Sequence, residues 1–456
     1  MSLRYPDSGN ATAGGSAAVD ARTAPLLELR AGLPQHILAV LPFTLFFPVA
    51  WMYVGVILFL FSLLLSGSYG EKKQAILASP MLMPILSLSL VSCLAGIFLP
   101  RPAGEFWPAL GHYQTYLFLL LFLCIGAGDW QKRAVTWFLA GALVSASFFY
   151  LNFLGLLPAT TMTRSYVVYK GNKSILLGIL LAVACGWMLN RLIAEKEHRW
   201  MRVLAFVYIV IALLFLTRSR TASLIMVFLC VMIPLSRMRF SWRSVGMLAA
   251  AALLLWAGAL YALSLPVPEK CAVRDMQNYS PAEVMRDRGL CTLHQVHAFT
   301  HGEDAGEDGM RAEIYQVTGK IAAEKPWTGH GIASWLVEYP QRAKGLISSG
   351  MTTPHNDYLL YATEVGVFGL GALLWIWLAQ LQIARRIGGG QGMMLAMLGV
   401  TMIIGGLFNA ILRDGVFGMA FMILLAIPLA GIRKDRLAAR TGKMLPTIKT
   451  NEIPNQ

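Results

Sequence analysis

Charged residues are scarce in this chain. Only 14% of its 456 residues are charged, whereas 56% are hydrophobic. A soluble domain carries about 25% charged residues, so the composition excludes an ordinary soluble protein. The chain also lacks a G-x-x-x-x-G-K-[ST] loop, and so contains no nucleotide-binding motif typical of an ATP-driven pump.

An early apolar stretch is missing as well. The first 30 residues are rich in Gly, Ala, Ser and Thr. We expect them to be disordered rather than to form a cleaved signal peptide.

Cysteine is rare, with six residues in the chain. Four of them lie in apolar segments, where a small buried hydrophobe is expected: Cys93, Cys124, Cys185 and Cys230. Cys271 and Cys291 form the only pair in a polar segment. In an oxidising compartment this pair can close a loop. Two free thiols fit the sequence equally well.

Long apolar runs dominate the rest of the sequence. A membrane span needs roughly 20 mainly apolar residues, and about twelve segments meet that need. They cover residues 37–50, 51–67, 80–99, 109–127, 134–157, 173–190, 201–217, 220–236, 244–265, 356–380, 391–409 and 415–432. The predicted fold is therefore all-α: a polytopic membrane helical bundle of about twelve spans with one large, mainly helical periplasmic loop.

Basic residues fall in alternate loops between these spans. They include Lys72 and Lys73, Lys132 and Arg133, Arg385 and Arg386, and the tail from Arg433. The positive-inside rule makes those loops cytoplasmic, so both termini are expected inside and the large loop outside. The net charge of +14 is then partly a topology signal, and no nucleic-acid partner is expected.

The predicted organisation has five parts. They are a disordered cytoplasmic N-terminus (1–35), spans one to nine (36–265), a periplasmic loop with amphipathic helices (266–355), spans ten to twelve (356–432) and a basic cytoplasmic tail (433–456).

The polar loop carries helix signals. Ser280-Pro281-Ala282-Glu283 is a capping-box pattern with Pro at the first helical position. Ile314, Val317 and Ile321 recur at helical spacing, which predicts an amphipathic helix from Arg311 to Glu324. A further short helix is expected at about 333–338. Such helices would lie on the outer leaflet.

Several basic residues on the outer side are not explained by the positive-inside rule. They are Arg164, Lys170, Arg218, Arg220 and Arg311. Charges so close to apolar spans are costly unless they are paired. Snorkelling toward phospholipid headgroups is one interpretation. The other is a cluster that binds a phosphate-rich ligand, because the planar guanidinium bonds phosphate oxygens in bidentate fashion.

His355 lies where the chain re-enters the membrane. It titrates near neutral pH and can remove a proton from an attacking hydroxyl, although it can also simply bond a backbone carbonyl. Asn356 can cap the following helix. Asp357 does not share a helical face with His355, so it orients the imidazole only if the backbone is irregular there.

A metal site is a weaker alternative. His294, His297 and His301 share a helical spacing, with Glu303 and Asp304 close behind. Such ligands suit Zn²⁺ or Mn²⁺. The segment lacks the tight patterns typical of zinc sites, and neither a metal nor a cofactor is predicted.

Three of these segments resemble motifs of one known family. Thr217-Arg218-Ser219-Arg220-Thr221 resembles the Ser-Arg motif at the outer end of a span in O-antigen ligases. Arg311 through Gly331 resembles that family's stretch of an Arg, an amphipathic helix, then Pro and Gly-x-Gly. His355-Asn356-Asp357-Tyr358-Leu359, followed by Glu364-Val365-Gly366 and Gly369, resembles the family's His-Asn signature and trailing Glu-x-Gly. The resemblance covers roughly residues 170 to 430.

The resemblance implies a glycosyltransferase of the bacterial inner membrane with a periplasmic active site. Such enzymes move O-antigen polysaccharide from undecaprenyl pyrophosphate onto a sugar hydroxyl of lipid A–core, without ATP or a metal. On this view His355 is the general base, and Arg220, Arg311 and Arg218 bind pyrophosphate. Further substrate contacts are expected from Arg164, Lys170, Asn356 and Asp357. Membrane lipids are the remaining partners.

The acceptor is not fixed by the resemblance. O-antigen polymerases and protein O-oligosaccharyltransferases share these motifs. A transporter of lipid-linked glycans is the non-enzyme alternative, although carriers usually place ionisable groups near the membrane midplane. Trp327, Trp335 and Tyr339 are candidates for stacking on sugar rings, and an interfacial aromatic belt explains them equally well.

Overall fold

The fold is entirely helical where it can be described. The computed structural model describes residues 24–100, 102, 104–168, 172–217, 219–237, 242–266, 290–291, 293–294, 297–298, 306–435 and 437. No strand occurs among these residues. The predicted all-α class is therefore confirmed.

Helices follow one another through nearly all of the described chain. The first nine are α1 (Ala24–Thr44), α2 (Val49–Leu65), α3 (Tyr69–Ala78), α4 (Leu82–Phe98), α5 (Phe106–Tyr113), α6 (Tyr116–Phe122), α7 (Trp130–Phe153), α8 (Arg164–Val167) and α9 (Asn172–Ala194). The others are α10 (Arg199–Ile211) with a π-helical end (Ala212–Leu216), α11 (Arg220–Arg237), α12 (Trp242–Ser264), α13 (Gly306–Glu324), α14 (Trp335–Arg342), α15 (Asp357–Ile387), α16 (Gly389–Phe408) and α17 (Gly415–Leu429).

Several of these helices can cross a membrane. Five described helices are long and apolar enough: Trp130–Phe153, Lys173–Ala194, Arg199–Leu216, Asp357–Ile387 and Gly389–Phe408. A sixth span results if α2 and α3, which are bent by 118°, count as one. The chain is therefore a multi-pass membrane protein, and the number of twelve spans stays a prediction.

The core is built around the last helix. Every residue of α17 from Phe417 to Leu429 is buried. Helix α17 packs against α6 and α16, and α9 packs against α11 and α16. An apolar helix that is buried on all sides belongs at the centre of a bundle. Exposed apolar side chains instead line the outer helices, such as Phe61 of α2 and Phe98 of α4.

The amphipathic helix predicted in the large loop is confirmed as α13. Its Ile314 and Ile321 are fully buried, as their helical spacing requires. The helix expected at 333–338 is also present, shifted to Trp335–Arg342. The capping-box helix at Ser280 falls outside the described residues.

The four cysteines of the apolar segments meet the expectation of burial only in part, because Cys185 is buried whereas Cys93, Cys124 and Cys230 are half-buried. Cys93, Cys124, Cys185 and Cys230 are free thiols. Cys291 is disulfide-bonded, so the alternative of two free thiols is wrong. Cys271 lies outside the described residues.

Candidate functional site

His355 is held in an unusual backbone conformation just before α15. Its φ of +50° lies in the left-handed region, which few residues other than glycine adopt. The hydroxyl of Tyr315, on α13, shares its single proton between the carbonyl oxygens of His355, at 3.1 Å, and Leu407, at 3.0 Å. One tyrosine therefore ties the His355 turn to the end of α16.

Asn356 caps the helix that follows, as the sequence predicted. Its Oδ1 accepts from the backbone N–H of Leu359 at 2.9 Å. Its Nδ2 donates to the carbonyl oxygen of Leu407 at 3.1 Å. With both ends of its amide bonded, Asn356 fixes the backbone next to His355.

Asp357 serves the neighbouring turn rather than the imidazole. It is fully buried, and its carboxylate oxygens accept from the backbone N–H of Leu412 at 3.2 and 3.3 Å. Backbone bonds from Ile411 and Arg413 reach the same carboxylate. Because no part of Asp357 is open to a ligand, we assign it the positioning of the 411–413 turn and not a substrate contact.

Two guanidinium groups act electrostatically on the imidazole of His355. Burial, followed by the positive charges of Arg311 and Arg413, lowers the pKa of His355 to about 4. Desolvation and nearby like charge both disfavour the imidazolium. His355 is consequently neutral at physiological pH, in the form that can accept a proton.

An open cavity of about 430 Å³ adjoins these groups. Its wall includes His355, Arg413, His112, Asp414 and Asn409. Polar and charged groups therefore converge on a space that admits a ligand head group.

Arg220 is the sequence neighbour of a residue that contacts the cavity wall. It begins α11, and its neighbour Thr221 accepts from Nδ2 of Asn409, a cavity residue, at 3.4 Å. The π-helical end of α10 comes directly before this arginine segment. Single π turns re-aim the residues that follow them and are frequent at functional sites.

The remaining predicted cations are less well defined. Arg164 is exposed at the start of the short α8. Ser174, in the first turn of α9, donates to the carbonyl oxygen of Ser165 at 2.8 Å, so α8 lies beside the start of α9. Arg218 and Lys170 fall outside the described residues.

Arg413 is a site residue that the sequence reasoning missed. Its guanidinium bonds the carbonyl oxygen of Thr352 and lies 6.0 Å from the ring centroid of Trp335. It also lines a second, small cavity of about 40 Å³ beside Glu364. A signal was available, since Arg413-Asp414 is a charged pair in the short connection between two apolar helices.

The Gly329-His330-Gly331 segment of the large loop packs against the Glu364-Val365-Gly366 segment of α15, and we call this contact the joint. Gly331 N–H donates to the Glu364 carbonyl at 2.9 Å, and Val367 N–H donates to the Pro326 carbonyl at 2.8 Å. Gly366 interrupts α15 with a φ of +68°, and a Cβ there would lie 2.3 Å from the Trp327 carbonyl oxygen. The break in the helix leaves backbone groups that the loop satisfies.

The joint is anchored to the rest of the bundle by a buried bond. The hydroxyl of Tyr113, on α5, donates to Oε2 of Glu364 at 2.8 Å. The Glu-x-Gly motif therefore holds residues 326–331 of the large loop against α15.

The expectation that Trp335 and Tyr339 stack on sugars is wrong. Both are fully buried, and their rings stack on each other with centroids 4.4 Å apart. Trp335 Nε1 donates to Thr318, and the Tyr339 hydroxyl donates to Ser348. Buried rings with bonded polar atoms belong to the loop's core. Trp327, at 68% exposure, keeps an open ring.

The histidine-rich segment gives no metal centre in the part of the chain that the structure describes. No three His, Cys, Asp or Glu side chains are grouped there in a way that could hold a metal ion. His301, Glu303 and Asp304 lie outside the described residues.

The central part of the chain matches a known family. Residues 204–376 match the family model described as O-antigen ligase. The match includes Arg220, Arg311 and His355 and ends before Arg413. It confirms the predicted resemblance to the O-antigen ligase family. No curated protein matches the chain.

Proposed function

We propose that this protein is an O-antigen ligase. It transfers polysaccharide from undecaprenyl pyrophosphate to a sugar hydroxyl of lipid A–core and so completes lipopolysaccharide. The observation that carries the proposal is the arrangement around His355: a neutral imidazole beside Arg311 and Arg413, at an open cavity.

In this proposal His355 acts as the general base. A ring nitrogen of the imidazole takes the proton of the acceptor hydroxyl while the hydroxyl oxygen attacks the anomeric carbon of the donor sugar. The bond between that carbon and the pyrophosphate oxygen breaks, and the electron pair leaves with undecaprenyl pyrophosphate. Attack from the side opposite the leaving group inverts the anomeric centre. A positioned base contributes about 10²–10⁴-fold.

The arginines stabilise the charge that builds on the leaving group. Arg311 and Arg413 are near enough to His355 to lower its pKa. Arg220 is next to Thr221, which bonds the cavity residue Asn409. Fixed guanidinium groups bond phosphate oxygens without reorganising, and losing one such donor typically costs about 2.7–4 kcal/mol. We assign Arg218 a supporting role, and Arg164 and Lys170 the binding of donor or core phosphates.

Donor binding should also strengthen the base. In the free protein, burial and the positive charges of Arg311 and Arg413 keep the pKa of His355 low. A bound pyrophosphate brings negative charge that offsets the guanidinium groups, so the pKa of His355 rises. The base therefore becomes more basic when the leaving group is present.

No energy source beyond the donor is needed for this reaction. A glycosyl pyrophosphate already contains a good leaving group. The reaction therefore requires neither a nucleotide nor a cofactor, and the protein's part is to position both reactants and stabilise charge.

The proposed setting is the bacterial inner membrane, with the site facing the periplasm and about twelve spans. Each of the twelve apolar segments in the sequence overlaps at least one helix, which supports this topology. The disulfide at Cys291 supports an oxidising compartment for the large loop. Both substrates keep their lipid tails in the bilayer while their head groups reach the same surface.

The lipopolysaccharide profile of a deletion strain tests the proposal. We expect bare lipid A–core and retained, fully polymerised lipid-linked glycan. Cores capped with single repeats would instead identify a polymerase. Intact lipopolysaccharide with unglycosylated protein would identify a protein O-oligosaccharyltransferase.

A different experiment distinguishes a transporter of lipid-linked glycans from the proposed ligase. Purified protein that joins the glycan to lipid A–core in detergent, with no membrane to cross, excludes a purely transporting role. Absence of transfer, together with movement of the donor across a bilayer, would contradict the ligase assignment.

A further inference from the structure

A sharp elbow at one end of the bundle creates a surface that the proposed reaction does not use. Helix α2 turns by 118° into α3. The turn contains Gly67 and Ser68, whose φ values of +69° and +50° are left-handed. Helix α3 consequently lies across the end of the bundle, and none of its residues is buried.

This elbow lies at the opposite end of α2 from the His355 cavity. Tyr53, in the first turns of α2, has its hydroxyl 3.3 Å from where a Cβ of Gly415 would stand, and Gly415 lines that cavity. From Tyr53 to Leu65 the helix rises by roughly 18 Å at about 1.5 Å per residue. The elbow therefore lies well away from that cavity, toward the other end of the bundle.

Cationic side chains gather at the elbow. Lys72 Nζ donates to the Leu63 carbonyl at 2.6 Å and to Ser66 Oγ at 2.7 Å. Arg30 Nε bonds the Leu65 carbonyl oxygen. These two cations bond carbonyl oxygens in the last turn of α2, where the negative end of the helix dipole favours positive charge. Lys73 is exposed beside them, and Glu71 is the only acid on α3.

An apolar trough of about 290 Å³ runs between α2 and α3 under these cations. Its lining consists of Leu63, Leu64, Tyr69, Lys72, Lys73, Ile76, Leu77 and Cys124. Leu64 is 61% exposed and Leu77 is 54% exposed, so the floor of the trough is open toward the bilayer. The trough thus joins an apolar floor to a basic rim.

We propose that this trough binds one anionic phospholipid. Its phosphate lies between Lys72 and Lys73, and an acyl chain covers Leu64 and Leu77. The charge of the rim selects a negative head group, and the open apolar floor requires a hydrocarbon chain. The site rests on the membrane-embedded fold and not on the proposed ligase reaction.

Photolabelling of the full-length protein in vesicles tests this site. The probes are phosphatidylglycerol and phosphatidylcholine that carry the same diazirine-labelled acyl chain. A basic residue near an anionic lipid surface contributes about 1 kcal/mol, which corresponds to about five-fold in occupancy. We therefore expect at least about five-fold more label from phosphatidylglycerol on the peptide that spans residues 63–77.

Two variants with the same charge change separate the site from general attraction. Lys73→Gln should lower the phosphatidylglycerol label about five-fold. Lys132→Gln should leave it unchanged, because Lys132 is 88% exposed beside Asp129 and does not line the trough. Both side chains are exposed, so neither variant should unfold the protein, and unchanged unfolding temperatures check this.

Three results would contradict the lipid site. Equal labelling by both lipids, or equal effects of the two variants, would overturn the proposal. Inorganic phosphate in detergent should leave the unfolding temperature unchanged, whereas phosphatidylglycerol should raise it. If phosphate alone gave the same rise, the ligand would be a free anion and the lipid assignment would be wrong.

Discussion

Replacing Arg413 with Gln tests the residue that links the structure most closely to the proposed chemistry. The guanidinium lines the cavity and is one of the two positive charges that lower the pKa of His355. The substitution removes the charge and leaves a shorter, neutral polar side chain. This change should lower the rate of transfer and raise the pKa of His355.

The first effect is a loss of rate. If Arg413 bonds the leaving pyrophosphate, its removal costs about 2.7–4 kcal/mol of transition-state stabilisation, or about 10²–10³ in kcat. The second effect is a higher pKa for His355. It does not return to the ordinary value, because burial, the largest cause, and Arg311 both remain. The acidic limb of kcat/KM therefore moves to higher pH.

The assay is glycan transfer between the two purified lipid substrates in detergent, measured as a function of pH. Arg413→Lys should recover part of the rate, since charge returns without the bidentate geometry. Arg342→Gln is the matched control, because this guanidinium bonds Glu324 and Glu338 and does not line the cavity. A normal rate in Arg413→Gln, or a slow rate with an unmoved acidic limb, would refute the reasoning.

Three further predictions follow from the same geometry. In the wild-type protein kcat/KM should stay level down to about pH 5 and fall near pH 4, because His355 of the free protein has a pKa of about 4. The fall in kcat should come at a higher pH, because bound donor raises the pKa of His355. A fall in kcat/KM near pH 6.5 would contradict this. Tyr315→Phe should lower kcat about ten-fold, because the Tyr315 hydroxyl bonds the carbonyls of both His355 and Leu407. Tyr208→Phe should not lower it, because the Tyr208 hydroxyl bonds Ser147, which does not line the cavity. Gly366→Ala should lower the free energy of unfolding by at least about 1–2 kcal/mol and reduce activity, because the φ of Gly366 is left-handed and the Trp327 carbonyl blocks a Cβ. Gly371→Ala is the control, since a Cβ at Gly371 meets nothing within 4 Å. Equal unfolding temperatures for the two variants would contradict the close packing of the loop against Gly366.

Features that depend on local chemistry were accessible from the sequence. The spacing of Ile314 and Ile321 predicted α13, and the position of Asn356 predicted a helix cap. Apolar runs predicted most helices within a few residues. In each case the determining interactions lie within one turn or one face of a helix, so the pattern of neighbouring residues is sufficient.

Features that depend on distant contacts were not accessible. The break at Gly366 exists because the loop at Trp327 packs against it, and the two positions are far apart in sequence. Trp335 and Tyr339 looked like exposed aromatic residues because the loop's own core was not recognised.

Some residues of the candidate site could be predicted from the sequence, and others depend on distant contacts. The resemblance to known motifs led to Arg311 and His355, which the structure brings close together. Arg413 lies outside those motifs, and it reaches the cavity only because Asp357 holds the 411–413 turn. The charged pair Arg413-Asp414 marks this connection in the sequence. Its place beside the His355 cavity depends on tertiary structure and is not readable from the sequence.

The most direct test of the central claim is glycan transfer by purified wild-type protein and its His355→Ala variant. The reaction contains undecaprenyl-pyrophosphate-linked O-antigen, lipid A–core and a metal chelator, with no nucleotide. We predict that the wild-type protein forms the joined product and that the variant, inserted and folded to the same extent, forms none above background. Transfer by His355→Ala at a near-normal rate would contradict the account.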